Sequence, residues 1–225
     1  MKHQRAVENS EKAERRQLIL KMSAELFENA SYEQVSMLDV ARQSGLAKGT
    51  VYLYFHSKEE LFLALLDEAF EAWFADLQTR LAKLPTDEPT TRIHILIFTR
   101  MLSESLEQHS LLLRLLPILH TVLEHNIPLA AALAYKQHLG TNLVQTGAQM
   151  EACFPFLREG QGVELLLSAY AGLIGLQSMC APSDVVREVL ERPEMALLVV
   201  DGPTALRQMV SRLLLGLWCE NERTK

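Results

Sequence analysis

The chain has 225 residues, 48% of them apolar, and 22 Lys and Arg against 28 Asp and Glu give it a formal charge of −6. That apolar content argues against a disordered polypeptide, and the acidic total argues against a protein that coats nucleic acid along its whole surface. Gly and Pro number only 10 and 8, no Asn-Gly or Asp-Gly hairpin is flanked by alternating apolar residues, and good helix formers dominate, so the expected fold is all-α. The first twelve residues, MKHQRAVENSEK, hold no apolar run of a secretory signal, and the expected compartment is the cytoplasm. Apolar spacing then predicts a helix over 13–28. Leu18, Met22 or Ala24, Leu26 and Phe27 would face the core, with Arg15, Arg16 and Lys21 elsewhere.

Asn29-Ala30-Ser31 ends that helix. Ser36-Met37-Leu38-Asp39 then reads as a capping box: the Ser36 hydroxyl can accept the amide of Asp39, whose carboxylate suits the positive helix end. This second helix is short, because Gly45 supplies a left-handed turn residue after Ser44. A third, equally short helix spans 47–54. Ser57-Lys58-Glu59-Glu60 caps a long fourth helix with Leu61, Leu65 and Ala69 on its apolar face, expected to run to Leu84 and stop at Pro85. Two short helices joined by a Gly turn and held between longer ones form a helix-turn-helix, whose second helix enters the major groove. Val40, Ala41, Leu46 and Val51 have the spacing of its small core.

The third helix carries Lys48, Gly49, Thr50, Tyr52 and Tyr54 where surface helices usually carry ion pairs. Those groups suit phosphates, thymine methyls and base edges, and Lys58 could hold a further phosphate. Residues 1–60 hold nine basic and nine acidic side chains, leaving 13 against 19 for the rest, so a local DNA contact needs no basic protein. The run Val40-Ala41, Gly45, Lys48-Gly49-Thr50-Val51-Tyr52, Tyr54-Phe55 and Ser57-Lys58-Glu59-Glu60-Leu61 resembles the DNA-binding module of the TetR family over about residues 13–66. The resemblance implies DNA contacts from Ser36, Lys48, Gly49, Thr50, Tyr52, Tyr54 and Lys58, and a homodimer bound to double-stranded operator DNA. Ala47 stands where Ser is common in that family, which removes a cap of about 1 kcal/mol. Leu38 stands where Arg is frequent, and Ser31 where Gly is usual.

Beyond Pro85 the pattern stays helical, with segments expected over 90–107, 111–125 (bent or split by Pro117), 128–154, 161–180 and 203–220. A loop carrying short helices is expected between Ala181 and Gly202. The expected organisation is therefore a DNA-binding domain over 1–57 and a helical dimerisation and effector-binding domain over 58–225. On the last helix Leu206, Met209, Val210, Leu213, Leu214 and Leu217 repeat at i, i+3, i+4 and i+7, with Leu215 and Trp218 widening the face. On the helix before, Ser168, Gly172 and Gly175 form a small-residue stripe. A two-fold four-helix bundle would use both. An effector pocket between the helices of 90–180 would draw on Phe98, Met101, His120, Tyr135, Met150, Tyr170 and Gln177. The Leu-rich run from Ser110 to Leu119 favours an apolar or aromatic effector.

Enzyme chemistry finds little to stand on. There is no GxSxG, P-loop or dinucleotide fingerprint, and His120 and His125 are five apart, unsuited to one helix face as a metal pair, so no cofactor or metal is expected. Cys153, Cys180 and Cys219 are scattered and read as small buried apolar residues. The stretch Leu165–Ser183, broken by Ser168, Gln177, Ser178 and Pro182, reads as a buried or interface helix, so no membrane partner is expected. The resemblance implies a repressor released by a small effector. The alternative is a DNA-bound adaptor whose helical domain recruits a protein.

Overall fold

A computed structural model describes residues 2–84 and 91–223, and Pro85 and Thr90, the expected end of one helix and start of the next, lie outside them. Every long element is a helix: α1 Lys2–Glu28, α2 Met37–Gln43, α3 Lys48–Tyr54, α4 Lys58–Leu81, α5 Arg92–Gln108, α6 Ser110–Ile118, α7 Leu129–Cys153, α8 Gln161–Cys180, α9 Asp184–Leu190 and α10 Gly202–Arg223. A π-helical turn, Leu119–Leu123, continues α6, and a 3-10 turn, Pro193–Leu198, follows α9. Pro117 does not split its helix. It lies inside α6, and the change of hydrogen-bond register follows directly after it, as a residue without an amide proton favours.

The chain divides into two compact units, one of residues up to Ala69 with Ile118–Lys136, the other Phe70–Pro117 with Gln137–Lys225. The division falls inside α4.

In the first unit α1 buries Ile19, Leu20, Ser23 and Phe27, while Leu18 is exposed. The stripe expected through Leu18 is therefore rotated by about one residue. Polar Ser23 sits in this core because its hydroxyl donates to the Ile19 carbonyl at 2.7 Å. Phe62 from α4 receives Phe27 and Tyr32 edge-on at 5.2 and 4.9 Å. Ser57 caps α4 by accepting the Glu60 amide at 3.0 Å, and donates to the Asn126 carbonyl at 3.1 Å, which ties residues after the π turn into this unit.

In the second unit α10 packs on α5 and α8. Phe98 of α5 meets Phe154 edge-on at 5.3 Å. The start of α8 crosses α7 at two glycines: a Cβ on Gly162 would lie 2.2 Å from the Gly147 carbonyl oxygen. Backbone touches backbone there, so the crossing needs both residues without side chains. Asn221, buried near the end of α10, donates to the Phe156 carbonyl at 2.8 Å and to Gln161 Oε1 at 2.7 Å. Among the described helices, Gln161–Cys180 is long and apolar enough to cross a membrane, yet its Leu165, Leu166 and Leu173 are buried in this unit.

Candidate nucleic-acid interface

The helix-turn-helix forms for local reasons. Ser36, extended at φ −111°, accepts the Asp39 amide at 3.2 Å, and Asp39 Oδ2 accepts the Ser36 amide at 3.1 Å, a complete capping box. The Ser36 hydroxyl and amide hold the Asp39 carboxyl below its ordinary range. At the far end the Gly45 amide reaches the Arg42 carbonyl at 3.2 Å and the Leu46 amide reaches Ala41 at 2.9 Å, with Gly45 at φ +67°. This Schellman closure needs a left-handed residue, which glycine adopts without a steric penalty. Met37, Val40 and Ala41 of α2 and Val51 of α3 are buried, so the two helices are clamped by a few small apolar contacts.

Val51 is the one buried residue of α3. The helix begins at Ala47 without a side-chain cap, as that residue predicts. Lys48, Gly49, Tyr52 and Leu53 are exposed, and Thr50 is half-buried. The Lys48 ammonium stands 5.7 Å from the Tyr52 ring centroid. Leu53, which the pattern of polar and aromatic residues passes over, is 77% exposed. A leucine so exposed on a helix with one buried anchor belongs with the candidate contacts, and its place one residue from both Tyr52 and Tyr54 is the signal that could have found it.

Tyr54 and Lys58 also make contacts within the first unit. Tyr54 is half-buried and lines a groove of the first unit with Arg16, Glu60, Ala131 and Ala134. Lys58 turns inward: its ammonium donates to the Tyr32 carbonyl and lies 3.8 Å from the Tyr32 ring centroid. Burial lowers the Lys58 pKa, and burial with the nearby Glu59 carboxylate raises that of Tyr32, whose hydroxyl donates to Glu59 at 3.1 Å. In this conformation Lys58 joins the loop after α1 to the start of α4.

The expected effector residues do not converge. Phe98 and Met150 are fully buried core, and Met101 is half-buried. His120 and Tyr135 belong to the first unit. There Glu124 lies 2.8 Å from the His120 ring and accepts Lys136 at 2.6 Å; burial pushes its pKa up, and those hydrogen bonds outweigh it and leave it lowered. Tyr170 lines an apolar cavity of the second unit, and Gln177 a more polar one beside it. Phe70, Trp73 and Phe74 of α4 form one side of the apolar cavity, beyond the Leu61, Leu65 and Ala69 face that the sequence spacing picks out.

The expected dimer face is also partly occupied. Leu206, Val210 and Leu214 are 5%, 1% and 0% exposed, covered within the chain by α5 and α8. Gly172 faces the Met209 thioether, again within one chain. Ser168 and Gly175 of α8 remain exposed, and Leu213 and Leu217 of α10 are half-buried. Core and interface leucines share a spacing, so the periodicity of α10 does not separate them.

Comparison with known proteins agrees with this arrangement. Residues 19–65 match a family model described as bacterial regulatory proteins, tetR family, and residues 67–221 one described as tetracyclin repressor-like, C-terminal domain. The HTH-type transcriptional repressor KstR of Mycolicibacterium smegmatis is 34% identical over 84 residues, 37% of this chain and 40% of that protein. The uncharacterized HTH-type transcriptional regulator YuxN of Bacillus subtilis is 32% identical over 80 residues, 35% of this chain and 26% of that protein. The chain thus spans between about a quarter and two-fifths of the length of these relatives. A tetR-family transcriptional regulator from Streptomyces coelicolor has a similar fold, with a TM-score of 0.53 at 16% identity over 94% of this chain and 85% of that one.

Proposed function

The chain belongs to the TetR family of bacterial transcriptional regulators, and from that premise we propose that it is a homodimeric repressor, released from a pseudo-palindromic operator when a small apolar or aromatic molecule binds its second unit. The observation that carries the DNA-binding half is the outward face of α3. Lys48, Gly49, Tyr52 and Leu53 are exposed on a helix anchored by Val51 alone. Such a face offers a cation for phosphate, a tyrosine for phosphate or base edges, and an alkyl group for thymine methyls. Thr50 completes the set, and Ser36 would meet the backbone at the start of α2. The outward side of α8, with Ser168 and Gly175, and the half-buried Leu213 and Leu217 of α10 would join two copies. Two-fold symmetry then sets the recognition helices about 34–36 Å apart.

The apolar cavity supports the ligand-responsive half. A ligand lowers operator affinity only by the factor by which it prefers the form that does not bind DNA, so release requires a conformational difference that the ligand reads. A second reading, a DNA-bound adaptor that recruits a protein, draws on Val185, Val186, Leu197, Leu198 and Val199. These side chains are 74%, 47%, 93%, 59% and 57% exposed on a segment between α8 and α10.

Selection of genomic fragments by the purified protein tests the first reading. One or a few dyad-symmetric sites should be enriched, with affinity falling by about tenfold or more in Tyr52→Ala. Equal enrichment by that variant, or none by the wild type at moderate salt, would overturn it.

A further inference from the structure

Two cavities of the second unit share a wall. The inner one is bounded by Phe70, Trp73 and Phe74 of α4, Leu112 and Leu116 of α6 and Tyr170 of α8, and holds about 60 Å³. The outer one holds about 220 Å³, with Ser103, Glu107, Gln177, Cys180 and Asp201 in its wall. Leu106, Leu173 and Leu206, one each from α5, α8 and α10, line both. Three leucine side chains therefore stand between a hydrocarbon chamber and a polar one. Rotamer changes of these three residues would join the chambers without any change of backbone.

The chemistry of the two chambers differs in a way that selects a ligand. In the inner wall the polar groups are the Trp73 indole N–H, which already donates to Ser105 Oγ at 3.1 Å, and the Tyr170 hydroxyl. A charge placed there would lose its hydration and gain no counter-ion. The interior is smaller than the ~150 Å³ of a site that holds benzene, so a chain of several carbons fits only where the shared leucines yield and it runs on into the outer chamber. In the outer wall both ionisable carboxylates, Glu107 and Asp201, are acidic, and the Ser103 hydroxyl donates to Glu107 at 3.2 Å. The neighbouring cation, Arg207, donates to Ser103 at 3.5 Å and to Thr204 at 2.8 Å, and lines the groove beyond.

We propose that the joined chambers bind an amphiphile, with a slender apolar body in the inner chamber and a cationic or uncharged hydrogen-bonding head in the outer one, and that they disfavour a carboxylate head. Binding itself follows from the two walls; its regulatory meaning rests on the effector reading above. Gln177 would serve an uncharged head as donor and acceptor, and Glu107 and Asp201 would attract an ammonium.

Octylammonium, octan-1-ol and octanoate share one chain and differ only in the head, so titration of each into the full-length protein, followed by calorimetry and by the emission of Trp73, tests the proposal. Octylammonium and octanol should bind, and octanoate at least about tenfold more weakly than octylammonium. In the double variant Glu107→Gln, Asp201→Asn the ammonium should fall to the affinity of the alcohol, whose unchanged binding shows that the fold is intact. Octanoate binding as well as octylammonium, a preference that survives both substitutions, or no binding of any of the three would overturn the proposal. If the predicted order holds while operator affinity stays unchanged by bound octylammonium, the ligand class stands and the effector reading falls.

Discussion

Gly49 stands on the exposed flank of α3, and a Cβ built on it would find nothing within 4 Å. The protein itself has no need of a glycine there, and glycine inside a helix costs about 1 kcal/mol relative to alanine. On the proposed function, a residue that weakens its own helix and frees no packing there makes room for something that approaches from outside, a phosphate backbone. Gly49→Ala should therefore raise thermal stability slightly, or leave it unchanged, while weakening operator binding severalfold. A melting curve and a binding isotherm on the same sample check it, and a loss of stability would contradict the account. Asp39 gives a second test at this scale. Its carboxyl is held below the ordinary range by the Ser36 hydroxyl and amide, so the ionised capping box stabilises the folded state above the unfolded pKa of about 3.9. That contribution is lost as pH falls through the lower folded value. Urea unfolding across pH should show the wild type keeping a constant advantage over Asp39→Asn from neutrality to about pH 4, then a narrowing gap.

At the scale of elements, what sequence reveals depends on how far apart the deciding residues lie. The capping box at Ser36 and Asp39 and the left-handed turn at Gly45 are settled within a few residues, and all three sit where local rules put them. The groove around Tyr54 is hidden from local sequence rules because its walls include Arg16, some forty residues earlier, and Ala134, some eighty later. The contact of Lys58 with Tyr32 is hidden for a similar reason, since Tyr32 belongs to the loop after α1. The inner cavity needs α4, α6 and α8 together, and spacing along any one of them shows an apolar face without a hole in it. The close crossing of α7 and α8 at Gly147 and Gly162 left no signal in the periodicity at all. It makes a sharp prediction nevertheless. Gly162→Ala should destabilise the protein by about 1–3 kcal/mol, because the new methyl meets backbone that cannot move aside. Gly140→Ala, with open space around it in α7, should be neutral or stabilising. Chemical denaturation of both variants compares them directly.

For the whole molecule, one exposed seven-residue helix is a small surface for specific recognition, and the twofold repetition proposed here is what would make it sufficient. Two copies of α3 on one face of the duplex double the number of base contacts and fix their spacing, so the symmetry of the operator follows from the symmetry of the protein. The outward residues of α8, Ser168 and Gly175, would then matter for DNA binding without touching DNA, because they hold the two reading heads at the required separation. The account stands or falls on that dyad. Hydroxyl-radical footprinting on a selected operator tests it most directly. It should give two protected patches related by a dyad, their centres one helical turn of about 10 base pairs or a multiple of it apart, filling together as protein is added. A single asymmetric patch, or two that fill independently, would contradict it.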